Sequence, residues 1–188
     1  MFNLHRHRMM RVEKQREETM TDSILDGKRI LAVDDELDVL DVLEEEILEI
    51  CPNSKVDKAT SYETAANMLK SQHYDLVVLD IMGVRGFDLL DLAVSRNIRV
   101  AMLTAHSFDP ESLKRSYIMR ARAYLPKEKL GEIVPFLEDV LNYEFEPGWV
   151  RLLLKLRDYL IKRWGKYWQK KDEKFWKEFD ERSVHIGW

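Results

Sequence analysis

The organising stretch of the chain is Val77-Val78-Leu79-Asp80-Ile81-Met82, an aliphatic run that carries a single carboxylate. Consecutive apolar positions before Asp80 are typical of a strand that is buried on both faces in the middle of a parallel sheet. Open α/β folds bind their ligands beyond the carboxyl ends of such strands. Because many strands end in aspartate, Asp80 alone indicates a candidate site only weakly.

Three further stretches predict strands that end in polar side chains. These side chains are, in chain order, the adjacent acids Asp34 and Asp35, the hydroxyl of Thr104 and the amine of Lys127. Helical patterns alternate with the strands, which predicts a doubly wound α/β fold with a five-stranded parallel sheet. In such a sheet the ends of these strands meet at one edge, together with Asp80.

The chemistry expected at this edge is that of a phosphoryl site. Three carboxylates repel one another unless a cation lies between them, and hard oxygen ligands suit Mg²⁺. Lys127 and Thr104 would add a positive charge and a donor for an anion on the metal, and such sites act mainly by positioning and charge neutralisation. Simpler interpretations exist: Asp34 and Asp35 could cap a helix, Lys127 could be solvated, and Thr104 could be an ordinary strand end. The set in this order favours the phosphoryl site.

This set resembles the receiver domain of bacterial two-component response regulators, over roughly residues 28–144. The resemblance implies that Asp80 is the phosphoacceptor, that Asp34 and Asp35 hold Mg²⁺ together with it, and that the backbone carbonyl of Met82 adds a ligand. It also implies that Thr104 binds the phosphoryl oxygens and Lys127 pairs with the phosphate. Tyr124 matches the switch aromatic of the family, which turns inward when the threonine is drawn to the phosphate.

Two departures from the family lie close to the site. The loop Met82-Gly83-Val84-Arg85-Gly86 is shorter than usual and lacks the usual Pro and acid, although its glycines can adopt the positive φ values of a tight turn. Pro126 precedes Lys127, whereas in the family a proline follows the lysine. We expect the site to survive with an altered rim.

The implied function is a phosphorelay switch, a signalling module that catalyses only its own phosphorylation and dephosphorylation. Its expected partners are a histidine kinase or phosphotransfer protein, an unknown downstream protein and a second copy in a homodimer. The alternative is a phosphorylation-independent scaffold that uses the receiver fold and the C-terminal segment for binding. The lone Cys51 favours a reducing compartment, hence the cytoplasm, and no apolar run predicts a membrane span.

Charge divides the chain into three expected parts, namely a flexible tail over residues 1–26, a receiver domain over residues 27–144 and an extension over residues 145–188. Residues 145–188 carry 11 basic and 7 acidic side chains, whereas the chain as a whole has a net charge of −4. Pro147 and Gly148 mark the second boundary.

The extension carries apolar residues at spacings of three and four, which predicts a long amphipathic helix that is bent near Gly165. Its apolar stripe is too large to leave in water. Three alternatives are open: dimerisation or docking on its own receiver domain, a groove on another protein, or a membrane surface, which the interspersed acids disfavour. No DNA-binding or enzymatic output motif follows the receiver domain.

Overall fold

The computed structural model describes residues 23–105 and 108–184. Its centre is a parallel sheet with the strand order β2-β1-β3-β4-β5. The strands are β1 Arg29–Val33, β2 Lys55–Ala59, β3 Leu76–Asp80, β4 Arg99–Thr104 and β5 Ala123–Pro126. The organising stretch is therefore the central strand, all five of its residues are buried, and the predicted fold class is confirmed.

Four helices connect the strands, a fifth follows β5, and together they cover both faces of the sheet. They are α1 Leu37–Ile50, α2 Tyr62–Ser71, α3 Gly86–Ser95, α4 Pro110–Ile118 and α5 Val134–Asn142. The caps follow local chemistry: Ser61 accepts a hydrogen bond from the Thr64 amide, and Asp109 accepts from the amides of Glu111 and Ser112. A 3₁₀ helix, Lys127–Glu132, joins β5 to α5.

The extension differs from the single bent helix that its spacing predicts. It forms three α-helices, α6 Phe145–Lys155, α7 Arg157–Trp164 and α8 Glu173–Val184, with the 3₁₀ helix Trp168–Asp172 before the last. The first break is at Leu156, whose ψ of 0° departs from helical geometry, and the second is at Gly165, which has a φ of +87°. Pro147 and Gly148 lie in the first turns of α6, where proline is tolerated, so they do not separate two elements.

Residues just before the expected boundary at residue 27 also pack on the α/β domain. Leu25 is fully buried in the core, and its carbonyl accepts a hydrogen bond from Ser54 Oγ at 2.6 Å. Asp26 accepts from the amide of Asn53 at 3.0 Å. The rest of the predicted tail, residues 1–22, and the last residues of the extension, 185–188, lie outside the described residues.

The extension packs against its own α/β domain, on the side formed by α4 and β5. Trp149 of α6 is fully buried, and its Nε1 donates to the carbonyl of Ala121 at 2.8 Å. Lys114 of α4 forms an ion pair with Asp172 of the extension. This arrangement is one of the three alternatives predicted for the apolar stripe. Among the described helices, none combines the length and the apolar character that crossing a membrane requires.

Candidate functional site

The acidic side chains meet at the carboxyl edge of the sheet because β1 and β3 are parallel neighbours. Asp34 directly follows β1, and Asp80 is the last residue of β3. One carboxylate oxygen from each of Asp34, Asp35 and Asp80 lies within 4.8 Å of the others. Asp34 and Asp80 are buried, whereas Asp35 is exposed at the mouth. The convergence predicted from the strand ends is therefore observed.

Lys127 directly follows β5 and reaches across this edge to the acids. Its Nζ lies 2.8 Å from Asp34 Oδ2, 3.0 Å from Glu36 Oε1 and 3.4 Å from Asp80 Oδ1. The preceding Pro126 belongs to β5 and does not prevent this reach. The sequence analysis missed Glu36, although an acid next to the Asp34-Asp35 pair was the signal that could have found it.

Burial and mutual charge set the protonation behaviour of the site. Burial raises the pKa of Asp80 to about 6, with Asp34 adding to the rise, while the positive charge of Lys127 opposes it. Burial disfavours the charge of Lys127, but hydrogen bonds to Asp34 and Glu36 and the charge of Asp80 outweigh it and raise the pKa of the amine. Lys127 therefore stays protonated, and Asp80 is mostly ionised above pH 7.

Thr104 and Tyr124 lie on neighbouring strands behind this edge. Thr104 is the last residue of β4 and is fully buried, and in the sheet register it is opposite Pro126. Tyr124 is also fully buried, and its hydroxyl accepts from the Asp109 amide at 3.0 Å. Burial raises the pKa of the Tyr124 phenol, so this hydroxyl remains a hydrogen-bond donor as well.

The short loop after Asp80 closes tightly over the acids. Gly83 has a φ of +57°, and a Cβ placed on it would lie 2.2 Å from Asp35 Oδ1. A Cβ on Gly86 would lie 2.0 Å from the carbonyl oxygen of Asp80, so this glycine is needed for close approach and not for a positive φ. Arg85 takes the second left-handed conformation instead, with a φ of 55°. Met82 is 54% exposed at the rim of the site.

The donor set fits a divalent cation. Asp34 Oδ2 is buried, and its partner is the Lys127 amine at 2.8 Å. Buried carboxylate oxygens are ordinarily hydrogen-bonded or coordinated, and three carboxylates within reach of one point match the oxygen-rich coordination of Mg²⁺. Gly83, which has no Cβ, lets the loop approach the Asp35 carboxylate without displacing it.

The comparison with protein families gives one match, the response regulator receiver domain, over residues 30–137. The chain belongs to this family. The match covers more than half of the 188 residues, and it includes Asp34, Asp80 and Lys127. The membership predicted from the sequence is confirmed, and receiver domains are signalling modules.

The similarity to one curated relative supports this membership. The receiver is similar to the two-component response regulator ARR18 of Arabidopsis thaliana, with 37% identity over 105 residues, which are 54% of this chain and 16% of that protein. The chain thus spans about a sixth of the length of this curated relative.

Solved structures also resemble the receiver. The response regulator protein TrrA from Thermotoga maritima, in complex with Mg²⁺ and BeF, is 31% identical with a TM-score of 0.52, covering 61% of this chain and 99% of that chain. A putative response regulator from Chloroflexus aurantiacus is 24% identical with a TM-score of 0.54, covering 62% of this chain and 98% of that chain, and it supports the fold alone.

Proposed function

We propose that this receiver is a phosphorylation-dependent switch in which Asp80 accepts a phosphoryl group from a phosphohistidine on a histidine kinase or phosphotransfer protein. The observation that carries the proposal is the position of Asp80, which is 4% exposed, within 3.4 Å of Lys127 and beside two further carboxylates. A buried structural aspartate would need only one partner. This group of three acids and an amine is suited to hold a cation and an anion together.

The proposed step is a transfer between two heteroatoms. An Asp80 carboxylate oxygen attacks the phosphorus, the P–N bond to the donor imidazole breaks, and its electron pair stays on that nitrogen. Mg²⁺ bound by Asp34, Asp35, Asp80 and the Met82 carbonyl would neutralise charge on the phosphoryl oxygens.

The remaining site residues act on the product. Lys127, which is paired with Asp34 and Asp80 before transfer, is close enough to pair with a phosphoryl oxygen on Asp80. Thr104 would then donate its hydroxyl to the same group. Tyr124, which lies on the next strand, would follow the movement of Thr104 and alter the surface formed by α4 and β5.

The same proposal includes the domain boundaries, the output partner and the cellular compartment. We assign residues 27–144 to the receiver, together with the packed residues 23–26, and residues 145–188 to the extension. Output passes to a downstream protein or to a second copy in a homodimer. Cys51 is a buried free thiol, which agrees with a reducing compartment such as the cytoplasm.

The test is intact-protein mass spectrometry after incubation with acetyl phosphate, with and without Mg²⁺. We expect a Mg²⁺-dependent gain of one phosphoryl group that is lost in Asp80→Ala. The matched control is Asp91→Ala, which removes an exposed aspartate of α3 and should label like the wild type. Failure of the wild type to label, or labelling of Asp80→Ala, would overturn the proposal.

One observation favours a second candidate, the phosphorylation-independent scaffold. The extension already covers the α4 and β5 side of the receiver, where Trp149 and Lys114 attach it. A scaffold needs this fixed surface and no chemistry at Asp80. The same labelling experiment separates the two candidates, because only the switch requires a Mg²⁺-dependent transfer of a phosphoryl group to Asp80.

A further inference from the structure

Tyr124, the proposed switch residue, lies at one end of a continuous series of aromatic rings that runs into the extension. Its ring stacks on Phe108, with a centroid distance of 5.0 Å and an interplanar angle of 14°. Phe108 in turn stacks on Trp164 of α7 at 4.8 Å. We call Tyr124, Phe108 and Trp164 the aromatic relay. Its middle member, Phe108, lies between β4, which ends at Thr104, and α4, which begins at Pro110.

Hydrogen bonds accompany both ring contacts of the aromatic relay. Trp164 Nε1 donates to the Phe108 carbonyl at 3.1 Å, so the extension contacts both the ring and the backbone of Phe108. The Tyr124 hydroxyl accepts from the Asp109 amide at 3.0 Å, and its oxygen lies 3.3 Å from the Asp109 carbonyl, to which it donates. Asp109 caps α4, so Tyr124 also fixes the start of that helix.

The far end of the relay is anchored within the extension and again on α4. Trp164 packs edge-on against Trp168 at 4.9 Å, and Trp168 packs against Trp176 at 4.8 Å. Phe179 of α8 then returns to Tyr117 of α4 at 5.3 Å. The extension therefore contacts α4 in two places. The aromatic relay reaches the start of α4, and Phe179 reaches Tyr117 further along the same helix.

We propose that the extension is the protein's own ligand for the surface formed by α4 and β5, and that its docking opposes phosphorylation of Asp80 through the aromatic relay. This inference rests on the proposed function. A movement of Tyr124 toward Thr104 would break its two contacts with Asp109 and slide its ring off Phe108. Because Trp164 holds Phe108 in place, the docked extension stabilises the position of Tyr124 that the structure shows, in which both contacts with Asp109 are made.

Coupling of this kind is reciprocal. If docking of the extension disfavours the phosphorylated form, then phosphorylation must loosen the extension by the same factor. Loosening would uncover the aromatic rings of Phe108, which lies just before α4, and of Tyr117, which lies in α4. The surface offered to a downstream protein would therefore appear only after phosphoryl transfer.

The test compares full-length Trp164→Ala with the wild type in the acetyl phosphate reaction with Mg²⁺. The removed stacking contact predicts an increase of about two- to tenfold in the phosphorylated fraction at limiting acetyl phosphate. The matched control is Tyr167→Ala, because Tyr167 is an aromatic residue of the extension that is 64% exposed and outside the relay. Trp164→Phe keeps a stacking ring and loses the indole donor, so it should give an intermediate increase.

The reciprocal arm is amide hydrogen exchange of residues 157–164 in the wild type. We expect exchange of this segment to increase on phosphorylation, and to be fast in Trp164→Ala without phosphorylation. Equal labelling of Trp164→Ala and the wild type, or a decrease in the variant, would overturn the inference and leave the proposed function intact. Absence of labelling in every variant would instead overturn the proposed function, and the inference with it.

Discussion

Burial has opposite energetic effects at the carboxyl edge of the sheet and in the C-terminal extension. At the edge, burial disfavours the ionised form of the acidic side chain, and it raises the pKa of Asp80 to about 6. In the extension, rings are removed from water, and Trp149 is fully buried with its indole donor satisfied by Ala121. The ionised form of Asp80 therefore lowers the stability of the fold, whereas burial of the rings of the extension raises it.

The difference predicts opposite responses to mutation. Removing a side chain from the extension should weaken the fold, whereas neutralising the central acid of the site should strengthen it while abolishing its chemistry. Natural proteins commonly exchange stability for function in this way. Mutations in the two regions therefore test the comparison in opposite directions.

The largest effect is expected for Trp149→Ala. Deleting a fully buried tryptophan leaves a cavity and an unsatisfied carbonyl on Ala121, which predicts a loss of about 3–5 kcal/mol in the free energy of unfolding. Urea unfolding followed by circular dichroism measures it. The control, Tyr167→Ala, should change the same quantity by less than about 0.5 kcal/mol because its side chain is exposed. A small loss in Trp149→Ala would contradict docking of the extension.

Asp80→Asn should raise stability in a pH-dependent manner. The pKa of Asp80 is about 6 in the folded protein against an ordinary value of 3.8, so the folded state binds more protons between these values. The wild type therefore loses stability as the pH rises from about 4 to 6, by roughly 1–3 kcal/mol.

The measurement is urea unfolding in the presence of EDTA at pH 4 and at pH 8. Asp80→Asn should exceed the wild type in stability at pH 8 and approach it at pH 4. The exposed Asp91→Asn should follow the wild type at both values. A variant that is less stable than the wild type at pH 8 would show that the site does not strain the fold.

The sequence predicted the edge residue by residue because strand ends fix where side chains emerge. Asp34 and Asp80 had to meet because β1 and β3 are parallel neighbours. Lys127 follows β5 at the same edge of the sheet and reaches both acids past β4. The extension offered no such rule, since spacing predicts an apolar face but not the surface that covers it. The break at Leu156 carries no glycine or proline to signal it.

The same limit explains the loop after Asp80. Two glycines were expected to supply positive φ values, yet Arg85 takes one of them while Gly86 is kept for its close approach to the Asp80 carbonyl. That requirement depends on distances across space. Glu36 was missed for a related reason, because its role exists only where Lys127 arrives from a different strand.

Gly83→Ala should disturb the acidic site directly. Its new Cβ would lie 2.2 Å from Asp35 Oδ1, so the carboxylate must move and Mg²⁺ affinity should fall about 10–100-fold. Labelling by acetyl phosphate across a Mg²⁺ titration measures the shift. Gly27→Ala is the control, because Gly27 also has a positive φ of +74° but no atom within 4 Å of the new Cβ. An unchanged Mg²⁺ dependence in Gly83→Ala would exclude Asp35 as a ligand.

The smallest effect is expected at the rim, where Met82→Asn should shorten the lifetime of the phosphorylated protein. Met82 is two residues beyond Asp80 and 54% exposed, and its apolar side chain can neither orient nor admit a water molecule for attack on the acyl phosphate. One added hydrogen bond of about 1 kcal/mol corresponds to roughly a fivefold faster hydrolysis.

The half-life of the phosphoryl group, followed by intact mass after removal of acetyl phosphate, measures this change. Met82→Leu keeps an apolar side chain of similar size and should retain the slow rate of the wild type. If Met82→Asn and Met82→Leu decay alike, the rim does not control access of water. The extension would then be the remaining candidate for setting the lifetime, since Trp164 contacts the ring and the carbonyl of Phe108, four residues after Thr104.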